Sequence, residues 1–136
     1  KNIDLKELGL IFKDLNIELI NLQYGEVNDE ISDFVKETNI PIRKIKYDIK
    51  NNLDALTSLI DLCDLVISTD SVTVRLSGAI NKETWLLIPS VSTFFYLQDR
   101  SDCVWSPCVK LYRQDKRTNW SNILNNMRQD LIKRYN

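Results

Sequence analysis

An α/β fold is predicted, three layers deep, with a doubly wound parallel sheet of about five strands and helices on both faces. Three observations carry it. Segments with helical spacing of apolar residues alternate with short strand-like segments along the whole chain. Two of the latter, the continuous apolar run 65–67 and the short strand 84–88, are of the kind that a parallel sheet buries on both faces. The size and composition fit one packed domain covering 1–136: 136 residues, 43% apolar and 27% charged, with 3 Gly and 3 Pro, exclude disordered, collagen-like and linker-rich chains.

Element by element, Leu5, Leu8, Phe12 and Leu15 recur at helical spacing behind Asp4, whose carboxylate can accept first-turn N–H groups, with Glu7 completing a capping-box pattern. Residues 17–24 read as a strand stopped by Gly25. Asn28 is the expected cap of a second helix that buries Ile31, Phe34 and Val35 and ends before Pro41. Residues 42–48 suit an edge strand protected by Arg43, Lys44 and Lys46. A third helix, capped by Asn52, carries Leu53, Leu56, Leu59 or Ile60, and Cys63. The run 65–67 is a buried strand, and after Asp70 and Ser71 a helix follows with Val72, Leu76, Ala79 and Ile80 on its expected stripe. Residues 84–88 form the next strand, ended by Pro89. Residues 90–108 are irregular, with one helical turn expected at Phe94, Phe95 and Tyr96. A last strand at 109–112 precedes a closing helix lined by Trp120, Ile123, Leu124, Met127 and Leu131.

Charge and cysteine content exclude several function classes. Eighteen Lys plus Arg against nineteen Asp plus Glu provide no basic field for a nucleic-acid backbone or an anionic membrane surface. No apolar run approaches the roughly 20 residues that span a bilayer. Three cysteines cannot all pair within one chain, and Cys63 falls in an apolar helical stripe, so a reducing cytoplasm is expected. No metal is expected: the chain has no His, and no carboxylates near Cys103 and Cys108 have ligand spacing. The missing His also removes the commonest general base, and no glycine-rich phosphate loop is present.

In open α/β sheets ligands bind beyond the carboxyl ends of the strands. That directs attention to Gln23, Tyr24, Gly25, Asp48, Thr69, Asp70, Ser71, Pro89, Ser90 and Arg113. The strongest local signal is Ser68, Thr69, Asp70 and Ser71 between a buried strand and a helix, because a helix start presents free N–H groups and a partial positive charge to an anion. Ser71 is the expected N-cap, and Arg75, four residues on, leans back toward the same helix start as a fork for phosphate oxygens. The spacing leaves a plainer alternative open, in which Ser71 only caps the helix and Arg75 pairs with Asp70 or faces solvent. Trp105 and Pro107 in the long loop can form an aromatic wall over a ligand, or pack onto the sheet edge.

The stretch DLVISTDSVTVRLSGAINKETWLLIP, residues 64–89, resembles the signature of the heptosyltransferase-like glycosyltransferases, family nine, in the variant often appended to tetratricopeptide repeats in bacterial proteins. Similar pieces flank it: Asn2, Ile3, Asp4 and Leu5 at the first helix, and Leu22, Gln23, Tyr24 and Gly25 at a strand end. Downstream, DRSDCVWSP over residues 99–107 resembles an Asp-Arg-x-Asp-Ser-Pro-Trp-Tyr-Pro loop, and Leu111, Tyr112, Arg113 and Gln114 resemble a Leu-Phe-Arg-Gln strand. The resemblance implies a Rossmann-like domain, the C-terminal, donor-binding half of a GT-B glycosyltransferase. By resemblance Thr69, Asp70, Ser71 and Arg75 bind the diphosphate of a nucleotide-diphosphate sugar, with Gln23, Tyr24, Gly25 and Trp105 as candidate base or sugar contacts. Arg75 stands where the family has His, and Asn81, Lys82 and Glu83 replace its Gly-x-Pro.

The family's domain opens with a further, central strand and an acceptor-binding half precedes it, so the chain is expected to be an excised piece that is inactive alone. Direct pairing of the strands on either side of that place would give the order 2-1-3-4-5. Two functional expectations follow: a nucleotide-sugar-binding domain of a hexosyl- or heptosyltransferase that needs no cofactor beyond its donor substrate, or a degenerate, non-catalytic module for protein interaction beside tetratricopeptide repeats.

Overall fold

The computed structural model describes residues 3–23, 27–46, 48–92, 94–98, 100–115 and 119–135. Asp4 opens α1 (Leu5–Gly9) as expected, its carboxylate accepting from the Lys6 N–H at 2.8 Å, and a 3-10 turn (Leu10–Phe12) continues it. β1 (Leu19–Ile20) and β2 (Ile42–Arg43) lie on either side of α2 (Asn28–Thr38), and Asn39, at φ 56°, ends α2 in the left-handed region that Asn tolerates. α3 (Leu53–Leu62) is capped by Asn52, which accepts from the Ala55 N–H at 3.0 Å. β3 (Val66–Thr69), α4 (Val72–Ala79) and β4 (Thr84–Ile88) follow in βαβ order. A 3-10 turn at Phe94–Tyr96 leads to β5 (Val109–Arg113) and α5 (Ser121–Tyr135).

The class is mixed α/β with parallel strands. β4 is central in a three-stranded sheet, β3-β4-β5, with Val66 opposite Thr84 and Thr84 opposite Val109. Every residue of β4 is buried, which explains why its sequence is apolar without alternation. Trp85 and Leu87 pack on one face with Tyr112, Leu124, Met127 and Leu131, while Leu86 and Ile88 pack on the other with Val74, Val109 and Leu111. Thus α5 and the Leu10–Phe12 turn cover one face and α4 covers the opposite one.

Three expectations require correction. Among the described residues the five strands do not form one continuous sheet in the order 2-1-3-4-5: β1 pairs with β2 in a separate two-stranded parallel sheet. The edges left over are identifiable. Val66 N–H donates to Glu83 O and Asn21 N–H donates to Arg43 O, so alternation turns the backbone groups of Ile67 and Ile20 away from their paired neighbours. Apolar side chains cover both faces beside β3: Leu65 and Ile67 pack against the same cluster as Leu8, Phe12 and Leu15, and Val66 belongs with Leu56 and Ile60 to another, against which Leu22 and Ile45 pack. β1 and β3 therefore each keep an edge that pairs with no strand among the described residues.

Second, Val27 rather than Asn28 occupies the cap position of α2. Third, the apolar stripe of α4 is only partly inside: Leu76 and Ile80 are half-buried against the Leu56, Ile60 and Val66 cluster, Val72 and Ala79 are exposed, and the fully buried residues are Thr73, Val74 and Ser77. Ser77 can enter the core because its hydroxyl donates to Thr73 O at 2.8 Å, which meets the hydrogen-bonding need of a buried polar group. Gly78 continues that close approach, since a Cβ there would stand 2.6 Å from Ser106 Oγ. Gly25 and Tyr47, expected at the ends of β1 and β2, lie outside the described residues.

Candidate functional site

The carboxyl end of β3 delivers Thr69, the turn Asp70–Ser71 follows, and α4 begins at Val72. Thr69, Asp70 and Arg75 are exposed and Ser71 is half-buried, so the predicted residues line one surface at the strand end. Ser71 occupies the N-cap position but does not cap. Its backbone is fully extended (φ −162°, ψ 175°), and its Oγ lies 3.2 Å from Ser68 Oγ, which itself donates to Thr69 O at 2.8 Å. The first-turn N–H groups of α4 therefore lack the side-chain acceptor expected from Ser71, and the positive end of the helix faces the Asp70 turn.

Arg75 reaches back across that turn, as its position four residues after Ser71 predicts. Its guanidinium comes within 3.5 Å of Asp70 Oδ1, a long contact between exposed groups that contributes little. The same guanidinium stands 5.2 Å over the ring of Phe95, a cation–π distance. Phe95 stacks on Trp105 with centroids 5.7 Å apart and planes at 26°. The Trp105 indole N–H donates to Phe95 O at 2.9 Å, so the loop indole is fixed at its edge while the residue stays 63% exposed. Trp105 therefore does not pack onto the sheet edge; it stands at the surface, stacked on Phe95.

Tyr96 completes the constellation. Its hydroxyl donates to Asp70 Oδ1 at 2.6 Å while its ring lies in the core. Burial, and then the hydrogen bond to the Asp70 carboxylate, push the phenol well above its ordinary range, so it remains a donor throughout the working pH range. Arg113, at the end of β5, holds the Tyr96 turn: its guanidinium donates to Ser92 Oγ and Leu97 O, each at 2.8 Å, and to Tyr96 O at 3.4 Å.

The structure thus gathers Thr69, Asp70, Ser71, Arg75 and, through Phe95, Trp105. Gln23 is exposed after β1, its N–H bonded to Asn21 Oδ1 at 3.0 Å, and no hydrogen bond among the described residues joins it to the Asp70 turn. Tyr24 and Gly25 lie outside the described residues. Sequence reasoning missed the parts that Phe95 and Tyr96 play. The aromatic run in an otherwise irregular segment was a signal that something is held there, but it names no partner. A separate open depression of about 400 Å³ lies away from the strand ends, between Ile3, Asp4, Lys6, Glu30 and Asp33. Lys6 is engaged there by Glu37 at 2.8 Å, and the place has the character of a solvated groove between α1 and α2.

Among the described residues no group of three or more His, Cys, Asp or Glu is assembled for a metal, and no helix is long and apolar enough to cross a membrane.

No protein-family model matches the chain, and no solved structure matches it. Protein FlbA of Caulobacter vibrioides is 27% identical over 110 residues, which is 76% of this chain and 17% of FlbA. The chain spans about a sixth of the length of that relative.

Proposed function

We propose that residues 69–75 are the diphosphate-contacting site of a nucleotide-diphosphate-sugar-binding domain, the donor half of a GT-B glycosyltransferase that is inactive without its acceptor-binding half. One observation carries the reading: the start of α4 has no cap from Ser71 and has the exposed guanidinium of Arg75 beside it. An anion placed there would accept from backbone N–H groups and from a guanidinium fork at once. The likeness of residues 64–89 and 99–107 to the family-nine pattern supports the same assignment. Gln23, Tyr24, Gly25 and Trp105 are then the candidates for the base or sugar. Donor binding would use the chain's own residues and no metal. The three cysteines are unpaired thiols, which suits a cytoplasmic protein.

A second reading is a degenerate module that has lost catalysis and serves protein interaction beside repeats. It is favoured by the structural employment of the site residues, since Asp70 is already bonded to Tyr96 and Arg75 already rests on Phe95.

The two readings separate in a titration with UDP, ADP and GDP, followed by the amide signals of residues 69–75. Saturable shifts that Arg75→Ala weakens are expected for the donor site. Unchanged signals in a folded spectrum, from this chain and from a chain extended to an intact acceptor domain, would favour the second reading.

A further inference from the structure

The outer edges of the two sheets are protected and the inner ones are not. Beside β2, Pro41, Arg43 and Lys44 are exposed, a proline and two charges of the kind that keep a free edge from pairing. On β5 the preceding loop closes the edge: the Leu111 N–H, directed away from β4, donates to Ser101 O at 2.7 Å, and Asp102 bridges Lys110 in antiparallel register. β1 and β3 have neither device. Residues 19–22 and 65–69 contain no charge, no proline and no glycine. Ile20, Leu22, Leu65 and Ile67 are apolar yet only half-buried, whereas every residue of β4 is buried. The backbone groups of Ile20 and Ile67 point away from the strands already paired with β1 and β3, and an uncharged edge of this kind is a template for a further strand. Leu22, just after β1, packs against the cluster that holds Val66 of β3, so the two open edges share one neighbourhood.

We propose that the seam between β1 and β3 takes one extended strand of the same polypeptide, from outside residues 1–136, and that this strand joins the two sheets into one. What borders the seam sets the chemistry of its occupant. Apolar clusters cover both faces beside β3, so the strand is apolar without alternation and uncharged over the length of β3, four residues. A resident strand fits better than a passing peptide, because an unprotected edge left empty associates with other chains. FlbA, of which this chain matches 17%, has ample further sequence for such a segment. A second copy fits less well: β3 docked on β3 about a two-fold axis would leave β1 open.

Amide hydrogen exchange, measured on this chain and on a chain carrying its natural flanking sequence, tests the seam. In the 136-residue chain the Ile20 and Ile67 amides are expected to exchange freely, while those of Asn21 and Val66, bonded to Arg43 O and Glu83 O, are protected. In the longer chain Ile20 and Ile67 should rise to the protection of Asn21 and Val66, with nuclear Overhauser contacts from one segment outside residues 1–136 to both. The Val66 amide reports folding in each case, and the longer chain decides alone if the shorter one leaves Val66 unprotected. Free exchange of Ile20 and Ile67 in a folded longer chain would overturn the proposal. So would protection of both in the 136-residue chain that is lost on dilution, since the occupant would then be a second copy.

Discussion

The Tyr96 hydroxyl donates to Asp70 Oδ1 at 2.6 Å across 26 residues of sequence, and this single bond joins the turn before α4 to the aromatic segment after β4. Tyr96 is 3% exposed whereas Asp70 is open to solvent, so the bond lies at the boundary between core and site. It fixes the carboxylate that Arg75 approaches and positions the residue next to Phe95.

Tyr96→Phe keeps the ring packing and removes that bond. The Asp70 oxygen it releases can be hydrated, so the cost falls near the lower end for hydrogen bonds to charged groups, about 1–2 kcal/mol. Urea denaturation should show a lower midpoint with an unchanged slope. A loss below about 0.3 kcal/mol would mean that the bond contributes nothing to stability.

Gly9→Ala tests the contact between α1 and α2. A Cβ on Gly9 would stand 2.0 Å from Phe34 Cε2, and Phe34 is completely buried, so the ring has no free space to move into. Alanine would gain about 1 kcal/mol of helix propensity, but overpacking in a filled core costs about 1–3 kcal/mol and here falls on an aromatic ring. Net destabilisation of about 1 kcal/mol or more is expected. Phe34→Leu in the same chain should recover part of it, by giving the new methyl room.

Glu83→Gln should alter the pH dependence of stability. The hydrogen bond from Arg134 holds the Glu83 carboxyl below the usual Glu range, burial works in the other direction, and the Trp85 indole N–H adds a weaker bond at 3.3 Å. A depressed carboxyl pKa stabilises the fold above the unfolded value, about 4.3, and that contribution disappears as pH falls through the lower folded value. Both partners are well exposed, which limits the pair to about 0.5 kcal/mol. Equilibrium unfolding at pH 7 should therefore favour the parent over Glu83→Gln by about that amount, and the difference should shrink toward zero near pH 3. A gap that persists at pH 3 would assign the effect to packing instead of charge.

Legibility differed between the two sheets. β4 was predicted residue for residue because TWLLI is buried on both faces, and burial is what an unbroken apolar run encodes. β5 was placed within one residue from Val109, Leu111 and Tyr112, which are buried while Lys110 between them is exposed. β1 and β2 shrank to two residues each, since residues 17–23 and 42–46 are half-buried or exposed and local preference had little packing to enforce it. The α4 stripe misled because Ser77 and Thr73 look like surface residues until the backbone bond that satisfies Ser77 is known.

The site divides along the same line. Thr69, Asp70, Ser71 and Arg75 lie within seven residues of one another, so a strand end followed by a helix start was enough to place them together. Phe95, Tyr96 and Trp105 come from a segment without periodicity, and their positions depend on Arg113 at the end of β5 and on Asp70 before α4. The α/β class, the buried strands and the local arrangement of residues 69–75 were legible in the chain, because they follow from period, burial and short-range geometry. The division of the strands into two sheets, the absence of a cap from Ser71 and the exposed stacking of Trp105 on Phe95 came from the folded state alone. Each of these is set by contacts between residues far apart in sequence, whose energies no local pattern contains.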